Sequence, residues 1–190
     1  GTPLVVGETV YVFTRRGDEE VMSALDAATG RERWRSGYPA PYTPSSAAAA
    51  HGAGPKATPL FQSGTLFTQG VSGIVSAFDA AGGKRLWHTQ APAEPPYFGA
   101  ASSPAGESGT VFIHPGNYEP LTAFDAITGT VKWAAGPGGF FMSPLIVTFE
   151  GERQVVTVTQ SSVIGVRVVV GVGLWQHPWE GGGAGGTMPI

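Results

Sequence analysis

The sequence predicts an all-β chain, a β-propeller arc of about four four-stranded antiparallel blades. Three observations predict it. First, one eleven-residue pattern recurs, as Ala24-Leu25-Asp26-Ala27-Ala28-Thr29-Gly30-Arg31-Glu32-Arg33-Trp34, as Ala77-Phe78-Asp79-Ala80-Ala81-Gly82-Gly83-Lys84-Arg85-Leu86-Trp87, and as Ala123-Phe124-Asp125-Ala126-Ile127-Thr128-Gly129-Thr130-Val131-Lys132-Trp133. A pattern returning every 40 to 55 residues or so marks stacked supersecondary units. Second, each copy follows a Thr-Pro or Ser-Pro opening and a short apolar hairpin: Thr2-Pro3-Leu4, Thr58-Pro59-Leu60, Ser103-Pro104 and Ser143-Pro144-Leu145. Third, Gly (29) and Pro (16) are abundant in a 190-residue chain that is still 42% hydrophobic, so they belong to turns between packed strands.

Each copy reads as strand, turn, strand. The apolar pair ends one strand. The aspartate (Asp26, Asp79, Asp125) opens a tight turn, where a short carboxylate accepts backbone N–H groups just ahead. The glycine four residues on (Gly30, Gly83, Gly129) closes the turn in the left-handed region without a Cβ penalty. The tryptophan four residues later (Trp34, Trp87, Trp133) lies on the return strand, where it is expected to fill the gap between neighbouring sheets. A fourth copy, Gly165 to Trp175, keeps Gly171 and Trp175 but has Arg167 in place of the aspartate and Val170 where two copies have threonine, so a poorer turn is expected. Proline suits the first residue of a strand because it cannot donate inside the ladder.

The first repeat covers about 1–36. Its Arg15-Arg16-Gly17-Asp18-Glu19-Glu20 reads as a solvated hairpin tip. Ser36 to Ala50 reads as a connection carrying Tyr38 and Tyr42, long enough to lie on one face and meet a partner. No stretch reads as an amphipathic helix, and Ala47 to Ala50 suffices only for part of a turn.

The second repeat covers about 51–90, entered by His51-Gly52-Ala53-Gly54-Pro55-Lys56. This reads as a turn and not as a phosphate loop, since a strand follows it. The third covers about 97–136, with His114-Pro115-Gly116-Asn117-Tyr118-Glu119 as a surface hairpin tip. The fourth covers about 140–179, with a valine-rich run suited to a covered core strand. Residues 180–190, ending Thr187-Met188-Pro189-Ile190, repeat the strand-opening signature and read as the start of a fifth unit.

The repeated Ala-x-Asp-x-x-Thr-Gly-x-x-x-Trp resembles the tryptophan-docking blade motif of the pyrroloquinoline-quinone (PQQ) repeat family. That family includes quinoprotein alcohol dehydrogenases and the propeller lipoprotein of the outer-membrane assembly machinery. The resemblance runs over nearly the whole chain. It implies an eight-bladed parent propeller, of which 1–190 is a single partial domain, and a periplasmic or otherwise extracytoplasmic location, although no targeting signal occurs in this sequence.

Two functions follow as expectations. One is a non-enzymatic scaffold that binds protein partners, by loops or by strand addition at an edge. The other is a fragment of a PQQ- and calcium-dependent alcohol or sugar dehydrogenase. The resemblance implies, for the enzyme, a quinone on the axis with calcium, a catalytic aspartate and often vicinal cysteines. This chain has no cysteine, and its repeat aspartates are accounted for by turns. Calcium wants six to eight oxygens or so, and few carboxylates remain. The four histidines are scattered, without metal-ligand spacing. The residues therefore favour the scaffold, with no catalytic or metal residues assigned and no cofactor. A net charge of -3 and 13% charged residues provide no basic groove for nucleic acid. No run is long enough to span a bilayer as a helix. Open terminal blades are expected to pair with a missing half or to self-associate.

Overall fold

A computed structural model describes residues 1–116, 118–139 and 141–178. The tail expected to begin a fifth unit lies outside the described residues. Each repeat folds as one antiparallel sheet whose strands lie in sequence order. The first sheet is β1 (Leu4–Val6), β2 (Thr9–Arg16), β3 (Glu19–Asp26) and β4 (Glu32–Pro39). The second is β5 (Leu60–Gln62), β6 (Thr65–Gln69), β7 (Val75–Asp79) and β8 (Arg85–His88). The third is β9 (Ala105–Glu107), β10 (Thr110–Ile113), β11 (Leu121–Asp125) and β12 (Val131–Ala135). The fourth is β13 (Leu145–Phe149), β14 (Glu152–Val158), β15 (Ser162–Arg167) and β16 (Gly173–Pro178). These four sheets are the blades of a partial β-propeller.

The first two strands of each blade join through a two-residue turn. In the second blade Gln62 pairs with Thr65, and Ser63 (φ 49°) and Gly64 (φ 79°) both adopt positive φ. Positive φ at both central residues is the turn that matches strand twist. At the other end of the blade, every third-to-fourth strand pairing carries a bulge just before the tryptophan. Ala77 pairs with Trp87 and Phe78 with Arg85, which leaves Leu86 out of register. The same slip occurs after Ala24, Ala123 and Gly165. A bulge adds local twist and re-aims a side chain; here it precedes the indole in every blade.

The first strands β1, β5, β9 and β13 neighbour one another in succession and so form the inner rim, while β4, β8, β12 and β16 are edge strands. The Thr-Pro and Ser-Pro openings link this rim directly. Thr2 N–H donates to Thr58 Oγ1 (3.2 Å), Thr58 N–H to Ser103 Oγ (2.9 Å), and Ser103 N–H to Ser143 Oγ (2.9 Å). Each hydroxyl thus accepts the amide of the blade before it.

The core lies between blades. Tyr11, Phe13 and Met22 of the first blade pack with Leu66 and Phe78 of the second. Phe67 and Val75 of the second meet Val111, Ile113 and Phe124 of the third. Phe112 and Leu121 of the third meet Val155, Ile164 and Val166 of the fourth. Burying one such side chain stabilises by about 1.5–3 kcal/mol.

Three readings change. Strand β4 runs to Pro39, so the first connection begins at Ala40. Tyr38 belongs to that strand, is buried and stacks near Phe78 (6.3 Å), with Arg85 over its ring. Glu20 belongs to no solvated tip, because it is fully buried. The connection holds a short 3₁₀ turn, Ser46–His51, where only a fraction of a helical turn was expected.

Candidate functional site

The repeated tryptophans span the joints between blades. Trp34 Nε1–H donates to the Ala80 carbonyl of the second blade (3.0 Å), which also accepts the Tyr11 hydroxyl (3.1 Å). Trp87 donates to Ala126 of the third blade (3.0 Å), and Trp133 to Val168 of the fourth (3.2 Å). Each acceptor is the residue after the turn's Asp or Arg. Each indole also lies on the glycine of the same turn. A β-carbon on Gly83 would sit 2.4 Å from Trp34, one on Gly129 2.6 Å from Trp87, and one on Gly171 2.6 Å from Trp133. The glycine thus serves two needs at once, the left-handed turn and a flat seat for the neighbouring blade's ring. Trp175 differs: it folds against Gly165 of its own blade and donates to Gln154 Oε1 (2.6 Å).

The aspartates are spent on their turns. Asp26 Oδ1 accepts Thr29 N–H (2.9 Å) and its hydroxyl (2.7 Å), and Oδ2 pairs with Arg33 (2.7 Å). The Arg33 guanidinium and then the Thr29 donors hold the Asp26 carboxyl far below its usual range. Asp125 accepts Thr128 N–H, the Thr128 hydroxyl and Ile127 N–H, and its pKa is lowered, chiefly by Thr128. Asp79 accepts Gly82 N–H (2.8 Å). In the fourth copy Arg167 turns to Glu152 instead (2.8 Å), yet the backbone bond Gly171 N–H to Arg167 O (3.0 Å) persists. The turn expected to be poorer loses its side-chain acceptor and keeps its backbone geometry.

Polar side chains also bridge the blades at their other end. Glu20 accepts Val71 N–H (2.5 Å) and the Tyr38 hydroxyl (2.8 Å), and burial raises its pKa. Gln69 donates to the His114 carbonyl (2.8 Å). His114 was expected in a surface tip and is instead buried. Its Nδ1 lies 3.0 Å from the Glu119 carbonyl, which can only accept, so Nε2 takes the Thr157 hydroxyl (2.9 Å). Burial lowers its pKa, against the pull of the Glu119 carbonyl.

Strand alternation sets the two ends of the arc. The turns after the first and third strands share one end. The hairpins after the second strands and the inter-blade connections 40–59, 89–104 and 136–144 share the other. On this connection face Tyr97 (53% exposed) and Phe98 (36%) meet edge to face at 4.8 Å, and Phe98 meets Phe141 of the next connection at 5.9 Å. Tyr42 holds the loop by donating to the Pro96 carbonyl (3.1 Å), and Lys56 donates to the Phe98 carbonyl. Lys56, the last residue of the His51 to Lys56 segment, therefore braces the backbone that carries Phe98. Sequence reasoning overlooked this cluster; the adjacent Tyr97-Phe98 pair in a proline-rich connection was the available signal. Of the two tyrosines expected on this face, Tyr42 is there and Tyr38 is in the core.

A quinone with calcium would need several oxygen ligands converging near the axis. Among the described residues no three His, Cys, Asp or Glu side chains come together. Asp26, Asp79 and Asp125 face their own turns, and Glu20 is a single carboxyl already holding two donors. The described residues therefore bring together no side-chain ligand set that fits such an ion.

A family model described as outer membrane protein assembly factor BamB matches residues 17–188. Among solved structures, BamB from Moraxella catarrhalis is similar at TM-score 0.66 and 18% identity, covering 92% of this chain and 50% of that one. The quinohemoprotein alcohol dehydrogenase from Comamonas testosteroni is similar at 0.64 and 20%, covering 93% and 34%. The computationally designed Ika8 protein is similar at 0.64 and 12%, covering 92% and 48%. This chain spans half or less of the length of each. No curated protein matches it. Among the described residues no helix is long and apolar enough to cross a membrane.

Proposed function

This chain belongs to the family described as outer membrane protein assembly factor BamB, and we propose that it is a non-enzymatic propeller scaffold that binds protein partners in the periplasm. The observation that carries this reading is the aromatic cluster of exposed Tyr97 and Phe98 with half-buried Phe141, raised on the connections of one face. Large rigid aromatics supply contact area at small entropic cost and are enriched at protein interfaces. The edge strands β8 and β12 offer a second mode, strand addition, with Leu86 (48% exposed) and Val131 (58%) facing outwards.

The opposing reading is a fragment of a PQQ- and calcium-dependent dehydrogenase. It draws on a structural likeness to a dehydrogenase as close as the likeness to BamB. Fold likeness at this identity carries no activity, and the described residues offer no cluster of three His, Cys, Asp or Glu side chains in support of it.

A photo-reactive residue in place of Phe98, activated in cells, tests the proposal. A covalent adduct with a component of the outer-membrane assembly machinery, weakened by Tyr97→Ser, is the expected result. No adduct, together with dye reduction by the whole protein supplied with PQQ, calcium and an alcohol, would replace the scaffold reading with the enzyme.

A further inference from the structure

We propose that the cleft between the second and third blades, at the turn end of the arc, binds a neutral, largely apolar small molecule of two or three aromatic rings that carries a hydrogen-bond donor. Both walls belong to blades that have a neighbour on each side within this chain. The other two joints show what is particular about this one. In the first blade the bulge residue Arg33 donates to Thr9 Oγ1 (2.9 Å), and in the third Lys132 donates to Thr110 Oγ1 (2.8 Å). Arg153 of the fourth blade also pairs with Glu107 of the third across their joint. The second blade has Leu86 at the bulge and Gln62 in the register position of Glu107. Leu86 can make no such contact with Thr65.

The place that cations occupy in the first and third blades is here part of a 540 Å³ cavity. Phe67, Leu86, Ala126 and Ile127 form its apolar walls, with Gln62 and Thr65 as polar groups. Cavities of about 300–1,000 Å³ with apolar walls and a few polar groups take drug-sized ligands. No charged side chain lines this one, so a charged ligand would lose its hydration without gaining a counter-ion. A neutral ligand has no such penalty, and it would cover Ile127 (85% exposed) and Leu86 (48%).

Gln62 supplies the polar requirement. Its side chain reaches across the joint, so that a β-carbon on Gly106 of the third blade would fall 2.6 Å from Oε1. That oxygen is buried and has no hydrogen-bond partner among the described residues. A buried acceptor without a donor is costly. An N–H or O–H on the ligand relieves that cost as the Gln62 amide turns to meet it. The cleft lies at the opposite end of the arc from Tyr97, Phe98 and Phe141, so it stands or falls independently of what the connection face binds.

Titration with N-phenyl-1-naphthylamine tests the site. This probe is a neutral diarylamine with a single N–H, and its fluorescence rises in apolar surroundings. The expected result is saturation at one dye per chain in the micromolar range. Leu86→Arg places at this bulge the residue of the first blade, and Ile127→Lys places a charge on the opposite wall. Both side chains are exposed enough for the urea midpoint to stay unchanged, and each variant should weaken binding roughly tenfold or more. Val172→Lys, at an exposed position outside the cavity, should leave binding as it was. Gln62→Met should weaken the dye roughly fivefold but leave its N-methyl derivative, which has no donor, unaffected. No fluorescence gain with the wild-type chain, binding indifferent to Leu86→Arg and Ile127→Lys, or an equal loss in Val172→Lys would overturn the proposal.

Discussion

The indole of Trp34 rests on the α-carbon of Gly83, one blade away, so closely that a methyl group there would fall 2.4 Å from the ring. The residue is glycine for two reasons, and they can be separated. Its φ is 75°, and so is strained for any side chain; Gly64, with φ 79°, shares the strain but has open space around it.

Gly64→Ala should therefore cost only the left-handed penalty, about 1–2 kcal/mol. Gly83→Ala should cost that plus displacement of the ring, about 1–3 kcal/mol more. Urea unfolding of the two variants measures the difference.

The hydroxyl at each strand opening is expected to matter more than the proline beside it. Ser103→Ala removes the acceptor of the Thr58 amide and should destabilise by about 1–2 kcal/mol. Hydrogen exchange at the Thr58 amide should speed up, while the Ser103 amide, which donates to Ser143, keeps its protection.

Glu20 makes stability depend on pH in a direction opposite to that of the turn aspartates. Burial raises its folded pKa above the ordinary 4.5, against the pull of the Val71 amide, the Tyr38 hydroxyl and Arg15. The folded state therefore favours the protonated form. This contribution is fully present below 4.5 and is lost as pH rises through the raised value. Glu20→Gln should flatten the fall in urea midpoint above 4.5; an unchanged slope would remove Glu20 as its source.

The strand plan was legible because its signals are local. Proline opens the strand, aspartate and glycine make the turn, and alternating apolar residues fill both faces of a covered sheet. What escaped was whatever depends on a neighbouring blade. His114 and Glu20 look like surface residues within their own hairpins, and only the adjoining blade buries them. Thr58 and Ser103 look like mere companions to proline, since their donors lie 56 and 45 residues earlier. The bulge before each tryptophan leaves no mark because its residue varies freely, from Arg33 to Leu86 to Lys132. The Tyr97, Phe98 and Phe141 cluster joins two connections that nothing in the spacing relates.

A double-mutant cycle on Trp87 and Gly129 tests the blade joint most directly. Trp87→Ala alone should cost about 3–5 kcal/mol, and Gly129→Ala alone should cost turn strain plus collision with the indole. If the ring rests on that glycine, the second substitution made in the absence of the indole should cost only the strain, giving a coupling of about 1–3 kcal/mol. Strict additivity of the two losses would mean that the indole and the glycine act separately, and the account of how these blades are joined would be wrong.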